Sequence, residues 1–310
     1  MHEVDLAGLR LESPVMNAAG TCKTFDEARK LVPTAVSAIV YGSYTYDEQL
    51  GDSGTTYYAD SIRSINSRGI PNGGRKFLRS NMSELVAIAH DAGKAAIFSV
   101  SGNDPEQFAE LVEICFGGGA DAVEVNLACP NLWIDEGHVA KAKQKPIVCF
   151  YPDMIIDIGL AIKLRIGRGN RIGAKLSVFS NPIQLGEIAS VIVGAGVFAY
   201  TINTNTFPKA VMLDDKGKFV IGTEFGGMAG SALKPMAQGN VKLLRDEFLP
   251  FGMPIVGVGG VESGKDVLDY KRLGACAVQV CTAYLQQGAS VFHRILDEYT
   301  DLVPEEETAV

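Results

Sequence analysis

The chain has 310 residues, a formal net charge of −8, 47% hydrophobic and 21% charged residues. This is the composition of an ordinary globular protein with a large core. The acidic balance argues against nucleic acid or an anionic membrane surface as the main partner, since both demand basic surface. A small-molecule ligand is the default expectation. The six cysteines, at 22, 115, 129, 149, 276 and 281, form no C-x-x-C pair or other metal-ligand spacing, so no metal is expected and the thiols read as reduced residues of a cytoplasmic protein. The start, Met-His-Glu-Val-Asp-Leu, has no signal pattern, and no run approaches the roughly 18 apolar residues of a membrane span. The acidic end, 303–310, reads as a frayed tail.

Taken in order, eight short β-branched runs recur, at 13–17, 37–42, 95–100, 122–127, 172–177, 198–203, 254–260 and 277–282. Helical stretches separate them. Ser83 is positioned to cap a helix through His90, and Asp104-Pro105 opens one that stops at Gly117-Gly-Gly. Asn181-Pro182 begins a third, closed by Gly194, while Lys234-Pro235 and Ser263-Gly264 begin two more and the last covers about 289–299. The alternation predicts an α/β fold, a single-domain parallel (β/α)8 barrel over 1–310, with a doubly wound open sheet as the alternative. Three long connections, 43–80, 129–152 and 204–233, follow strands two, four and six. All lie on the side where barrel enzymes carry their sites, so they are expected to roof one.

At these strand ends stand small residues and amides: Asn17-Ala-Ala-Gly20, Tyr41-Gly-Ser43, Asn126 to Asn131, Asn203-Thr204, Gly257-Val-Gly-Gly260 and Cys281-Thr282. They suit a flat polar ring laid across the barrel mouth. Cys129, held before Pro130 and bracketed by Asn126 and Asn131, is a candidate proton-transfer group, although a core thiol beside a turn is equally compatible with the sequence. Lys175 lies inside an apolar strand, where an unpaired ammonium is costly, so it is expected to meet an anion or an electron-rich ligand. The glycines ending strand seven, with the helix from Ser263 behind them, form a candidate phosphate site.

Asn17-Ala-Ala-Gly20, Ser64-Ile-Asn-Ser-Arg-Gly-Ile-Pro-Asn72, Asn126-Leu-Ala-Cys-Pro-Asn131, Lys175, Asn203-Thr204, Phe225 to Pro235 and Gly257 to Gly264, in this order and spacing, resemble the dihydroorotate dehydrogenases, most closely the class 1A enzymes. The resemblance covers nearly the whole chain. It implies an FMN-containing barrel, a homodimer, that oxidises dihydroorotate to orotate in pyrimidine synthesis. By motif, Cys129 would remove the C5 proton while C6 passes hydride to the flavin, and Lys175 would stabilise the reduced ring. Ala18, Ala19, Gly20, Ser43, Asn126 and Ile202 would line the flavin, with Gly230, Gly259, Gly260, Cys281 and Thr282 towards its phosphate. Asn66, Gly69, Ile70, Asn126, Asn131, Asn203 and Thr204 would hold the pyrimidine.

Two departures concern the substrate end. Where the family carries a lysine at the end of strand two, this chain reads Tyr41-Gly-Ser43, and where it carries a methionine this chain has Arg68. Tyr41 and Arg68 are therefore candidate substrate contacts. Unless Arg68 or Lys23 turns into the pocket, a carboxylated ring would lack a cationic partner, and another cyclic amide or enone becomes the alternative substrate. A non-redox lyase or aldolase with Lys175 as a Schiff base is the alternative from a different class.

Overall fold

The first barrel strand, Val15–Asn17, lies beside the eighth, Ala277–Val280, and the parallel order then runs back through Ile255–Val258, Tyr200–Asn203, Ile172–Leu176, Ala122–Asn126 and Ala95–Ser101 to the second strand, Ala38–Thr45. All eight runs expected from the sequence are strands, arranged as a (β/α)8 barrel. The computed structural model describes residues 2–129 and 146–303, with the backbone of a short antiparallel pair, Trp133–Ile134 and Lys143–Gln144, between them.

Strand alternation sorts the side chains into two cores. Ala38 and Val40 join Met16, Ala122, Ile202, Val256 and Ala277 inside the barrel, whereas Ile39 and Tyr41 join the layer between barrel and helices. The amino-terminal hairpin, Val4–Leu6 with Leu9–Leu11, adds Val4, Leu6 and Leu11 to the interior cluster. At the seam between strands one and two the Asn17 side chain completes the ring. Its Nδ2 donates to Val40 O (2.8 Å) and its Oδ1 accepts from Val40 N (2.9 Å), beside a backbone bond from Ser37 N to Val15 O (3.0 Å).

The helices show local encoding and two misread boundaries. Asp104 caps Pro105–Gly117 by accepting from Gln107 N, Asn181 caps Pro182–Ala195, and Ser263 forms a capping box over Gly264–Arg272. Pro182–Ala195 runs through Gly194 and ends at Gly196, whose φ of +62° stops the helix. Helix Gly74–His90 starts well before Ser83, because Asn72 accepts from Gly74 N (2.8 Å) and supplies the cap from outside the helix. Phe25–Leu31, Pro152–Ile166 and Lys234–Phe248 complete the outer ring near the seam, after strand four and after strand six, and the last helix is Val291–Leu302, preceded by the short Thr282–Gln287.

The connections after strands two and six do more than cover the barrel. They pair into a four-stranded antiparallel sheet, ordered Phe207–Ala210, Gly226–Ala229, Ser64–Asn66, Tyr57–Ala59, which roofs the barrel mouth. This sheet joins two distant stretches of chain, and no local sequence signal announces it.

Candidate active site

Two adjoining chambers open between the carboxyl ends of the strands and this roof, sharing Asn205, Ala229, Val258, Cys281 and Thr282. The larger is walled by Ala18, Ala19 and Gly20 from strand one, Ser43 from strand two, Asn126 and Cys129 from strand four and Lys175 from strand five, with Lys23, Asn66, Arg68, Gly69 and Ile70 on its loop side. The smaller is walled by Gly230, Gly259, Gly260, Cys281 and Thr282. Sixteen of the expected site residues are thus brought to one cavity: the fifteen just named that the sequence singled out for cofactor, proton transfer or substrate, and Arg68. Asn131 lies outside the described residues.

Four expectations fall elsewhere. Tyr41 is fully buried on the outer face of strand two, its hydroxyl donating to Leu85 O of the neighbouring helix (2.7 Å) and its ring stacked on Phe98 at 4.7 Å. It is no substrate contact. The period of the strand decides this, since Val40 points in and Tyr41 must point out. Ile202 is buried in the barrel interior and off the cavity wall. Asn203 and Thr204 are also buried and off the wall, Asn203 Nδ2 donating to Ser177 O (3.1 Å), while Asn205 and Thr206, just beyond them, line the cavity.

The floor is a buried polar cluster. Lys175, 2% exposed, donates to Gln279 Oε1 (3.2 Å) and lies 3.9 Å from Glu124, which in turn accepts from Gln279 Nε2. Burial pushes the Glu124 carboxyl above the usual carboxylate range, and the Lys175 charge and the Gln279 hydrogen bond only partly oppose it. Glu124 and Gln279 were not singled out in the sequence. Their signal was present: each is a strongly polar residue in the middle of an otherwise apolar stretch of barrel strand, Ala-Val-Glu-Val and Ala-Val-Gln-Val.

Around Cys129 the backbone is clamped. Asn126 Oδ1 accepts from Ala128 N (3.1 Å), Asn205 Nδ2 donates to Ala128 O (3.0 Å), and Leu127 N donates to Lys175 O (3.2 Å). Asn126 Nδ2 reaches Ser43 Oγ (3.0 Å), itself 2.7 Å from Ser99 Oγ. The thiol of Cys129 is partly exposed to the cavity, whereas burial pushes the Cys281 thiol up. None of the six cysteines is in a disulfide.

On the loop side Ile70 adopts φ +49°, a strained conformation for a β-branched residue. Asn72 holds it there, donating from Nδ2 to Ile70 O (2.7 Å) and to Thr45 Oγ1 (2.8 Å) while its Oδ1 accepts from Thr45 N (3.0 Å). Such strain persists where surrounding contacts over-determine the backbone.

The expected phosphate site needs one correction. The amides that open the helix after strand seven are already engaged: Glu262 N and Ser263 N donate to Asp266 Oδ2 (both 3.0 Å), and Gly264 N to Glu298 Oε2 (2.8 Å). The glycine loop remains. Gly259 and Gly260 have φ of +123° and +70°, and a Cβ on Gly260 would lie 2.8 Å from Gly230 O. Opposite them Cys281, Thr282 and Ala283 begin the short helix after strand eight.

Comparison with known proteins agrees with this architecture. The family model described as dihydroorotate dehydrogenase matches residues 1–303. A Thermoplasma acidophilum protein named dihydroorotate dehydrogenase B (NAD(+)), catalytic subunit, is 32% identical, over 97% of this chain and 93% of its own length. A Saccharomyces cerevisiae protein named dihydroorotate dehydrogenase (fumarate) is 28% identical, over 94% and 90%. Relatives of both the fumarate and the NAD(+) type therefore match along nearly the whole chain. In fold, the crystal structure of DHODH from Eimeria tenella in complex with ferulenol superposes with a TM-score of 0.80 at 21% identity, over all of this chain and 85% of the other. No helix among the described residues is long and apolar enough to cross a membrane. With a family model matched from end to end and a relative at this identity, the chain belongs to the dihydroorotate dehydrogenase family of oxidoreductases.

Proposed function

We propose that the protein is an FMN-dependent enzyme that oxidises dihydroorotate to orotate, one barrel domain carrying both cofactor and substrate. The observation that carries the reading is that one cavity wall holds the Cys129 thiol and the Lys175 ammonium together, between glycine-lined and cation-lined ends.

The residues present fit a flavin. At Gly20, φ is +95° and a Cβ would meet nothing within 4 Å, so this backbone borders room that a side chain would take from the cavity. Thr206 Oγ1 lines the same chamber, buried and without a hydrogen-bond partner among the described residues. Ala18, Ala19, Gly20, Ser43 and Asn126 would hold the ring, with Lys175 at its electron-rich edge. Gly230, Gly259, Gly260, Cys281 and Thr282 would surround the phosphate. When bound, FMN supplies a ring that accepts a hydride.

The chain's own part is positioning and proton transfer. Cys129, as thiolate, takes the proton from the substrate carbon next to the one being oxidised, and the clamp on Ala128 fixes where that sulfur stands. Asn66 and Asn126 offer amide groups to the edge of a planar cyclic imide. The roof sheet excludes water from the reacting face.

The six cysteines outside any disulfide support a reducing, cytoplasmic setting. The exposed Phe207, Val211, Leu213, Phe219 and Phe225 on and around the roof hairpin support self-association, with a homodimer as the expected species in sedimentation. Two measurements test the function. The purified protein should carry a yellow chromophore that denaturation releases, and dihydroorotate should reduce it, with turnover measured on fumarate and on dye acceptors. A colourless protein that binds no added FMN, or a flavoprotein that dihydroorotate fails to reduce, overturns the reading.

A further inference from the structure

We infer that Lys23 and Arg68 together form the anion-binding end of the cavity, taking the carboxylate of the ring substrate in place of a cation from strand two. This rests on the reading of the cavity as the site of a planar ring substrate.

Strand two has no cation to give and no room for one. Tyr41 faces the helices. Gly42 has φ +98°, and a Cβ there would lie 2.4 Å from Ser99 O and 2.9 Å from Tyr44 N. Ser43 reaches the wall but is a neutral hydroxyl already engaged by Asn126 and Ser99. A buried carboxylate without a cationic or strong donor partner loses several kcal/mol of hydration, so a site for such a ligand must find positive charge elsewhere.

Besides Lys175, two cations stand on the same wall as Cys129, both from loops. Lys23 follows the strand-one turn, and its main chain is pinned on both sides: its N–H donates to Glu27 Oε2 (2.7 Å) and its carbonyl accepts from Tyr44 OH (2.8 Å). Its Nζ donates to Pro71 O (2.8 Å). An ammonium has three donors, and among the described residues that carbonyl takes one. Arg68 lies across the roof loop with its guanidinium 5.0 Å from the Tyr57 ring centre. Neither has a carboxylate within ion-pair distance among the described residues. The acid that acts on Lys23, Glu27, spends Oε2 on Lys23 N, Thr24 N and the Thr24 hydroxyl. Two half-buried cations side by side repel, and an anion between them removes that penalty. A guanidinium fork and an ammonium also suit the two oxygens of a carboxylate.

The groups that face Lys23 give the arrangement a pH signature. Burial lowers its ammonium to about 8, with Glu27 and Cys129 opposing the shift and Arg68 adding to it. Below that pH Lys23 is charged and anion affinity is full. As pH rises through it the charge is lost, so affinity falls, and a bound carboxylate moves the fall to higher pH.

Calorimetric titration of the purified protein with orotate and with uracil, a ring of the same kind without the carboxylate, tests this without turnover. Lys23→Gln and Arg68→Gln should each weaken orotate by about ten- to a hundredfold, the worth of a hydrogen bond to a charged group, and leave uracil within about twofold. Lys23→Arg should restore most of the loss, and Lys23→Gln should flatten the decline of orotate affinity above neutral pH. Unchanged orotate binding in both Gln variants, or equal losses for orotate and uracil, overturns the assignment. Failure is separable from failure of the proposed activity. A wild type that binds orotate through these residues yet does not oxidise dihydroorotate leaves the anion site standing. Active enzyme with unaltered KM in both variants removes the site and leaves the activity.

Discussion

The two ends of the cavity are built by different means. At the barrel end, Lys175, Asn126 and the strand-seven glycines sit on or directly after strands whose registers are fixed by backbone ladders, Lys175 facing Asn126 on one side and Ile202 on the other. Their polar atoms are matched to protein partners, Lys175 with Gln279 and Glu124, Asn126 with Ser43 and Ala128. At the loop end, Lys23, Arg68 and Ile70 stand on segments held by side chains such as Asn72, and their charges face the cavity. Here the chain parts from its family's motif; at the barrel end it keeps it. A loop can bring in a charge from another point of the chain, whereas a residue in a ladder has one place and one direction.

The sharpest test of the barrel end is Cys129→Ala, which should keep its fold and its bound flavin but lose turnover by ~10² to 10⁴, the range for a missing general base. Single-turnover reduction by dihydroorotate reads this. A loss of only a few-fold would move the proton to another group, with His138, outside the described residues, as the first to examine. Lys175→Ala should cost both stability, by about 3–5 kcal/mol as for one partner lost from a buried pair, and the rate of flavin reduction. Denaturant melts and stopped-flow absorbance measure the two. Unaltered stability would mean that Glu124 sits there uncharged without help.

Tyr41 breaks or confirms the contrast more gently. Tyr41→Lys forces an ammonium into the layer against Phe98 and the Leu85 carbonyl, so it should lower the melting temperature and bring no gain in orotate affinity. Tyr41→Phe removes one buried hydrogen bond, worth about 0.5–1.5 kcal/mol, and should leave KM for dihydroorotate unchanged. Tighter orotate binding in the lysine variant would place that side chain in the cavity after all.

The barrel was legible because its signals are local: β-branched runs, proline at helix starts, Asp104, Asn181 and Ser263 as caps. Cys129 and Lys175 were legible because each is chemically out of place where it stands. What stayed hidden depended on direction or distance. Tyr41 reads as a ligand contact in the motif because a motif gives position but not parity. Glu124 and Gln279 meet Lys175 only when strands four, five and eight curve round to one interior. The roof sheet and Asn72's double duty join residues that no periodicity links, and the phosphate loop lost its expected helix to Asp266 and Glu298, acceptors lying beyond the motif.

The Asn17 clasp has a kinetic consequence. Seven joints of the ring are backbone ladders, whereas at this one the Asn17 side chain holds Val40 between isolated backbone bonds, Ser37 N to Val15 O and Gly20 N to Gly42 O, and parting there would separate Ala18, Ala19 and Gly20 from Ser43, two flanks of the larger chamber. The Val40 amide reports that opening directly, because its proton rests on Asn17 Oδ1. A ligand that bridges both flanks binds only the closed ring, so loading the cavity should slow hydrogen exchange at Val40 by roughly the factor 1 + [L]/Kd, while amides that exchange without seam opening keep their rates. The seam would then help set how fast the cofactor can leave.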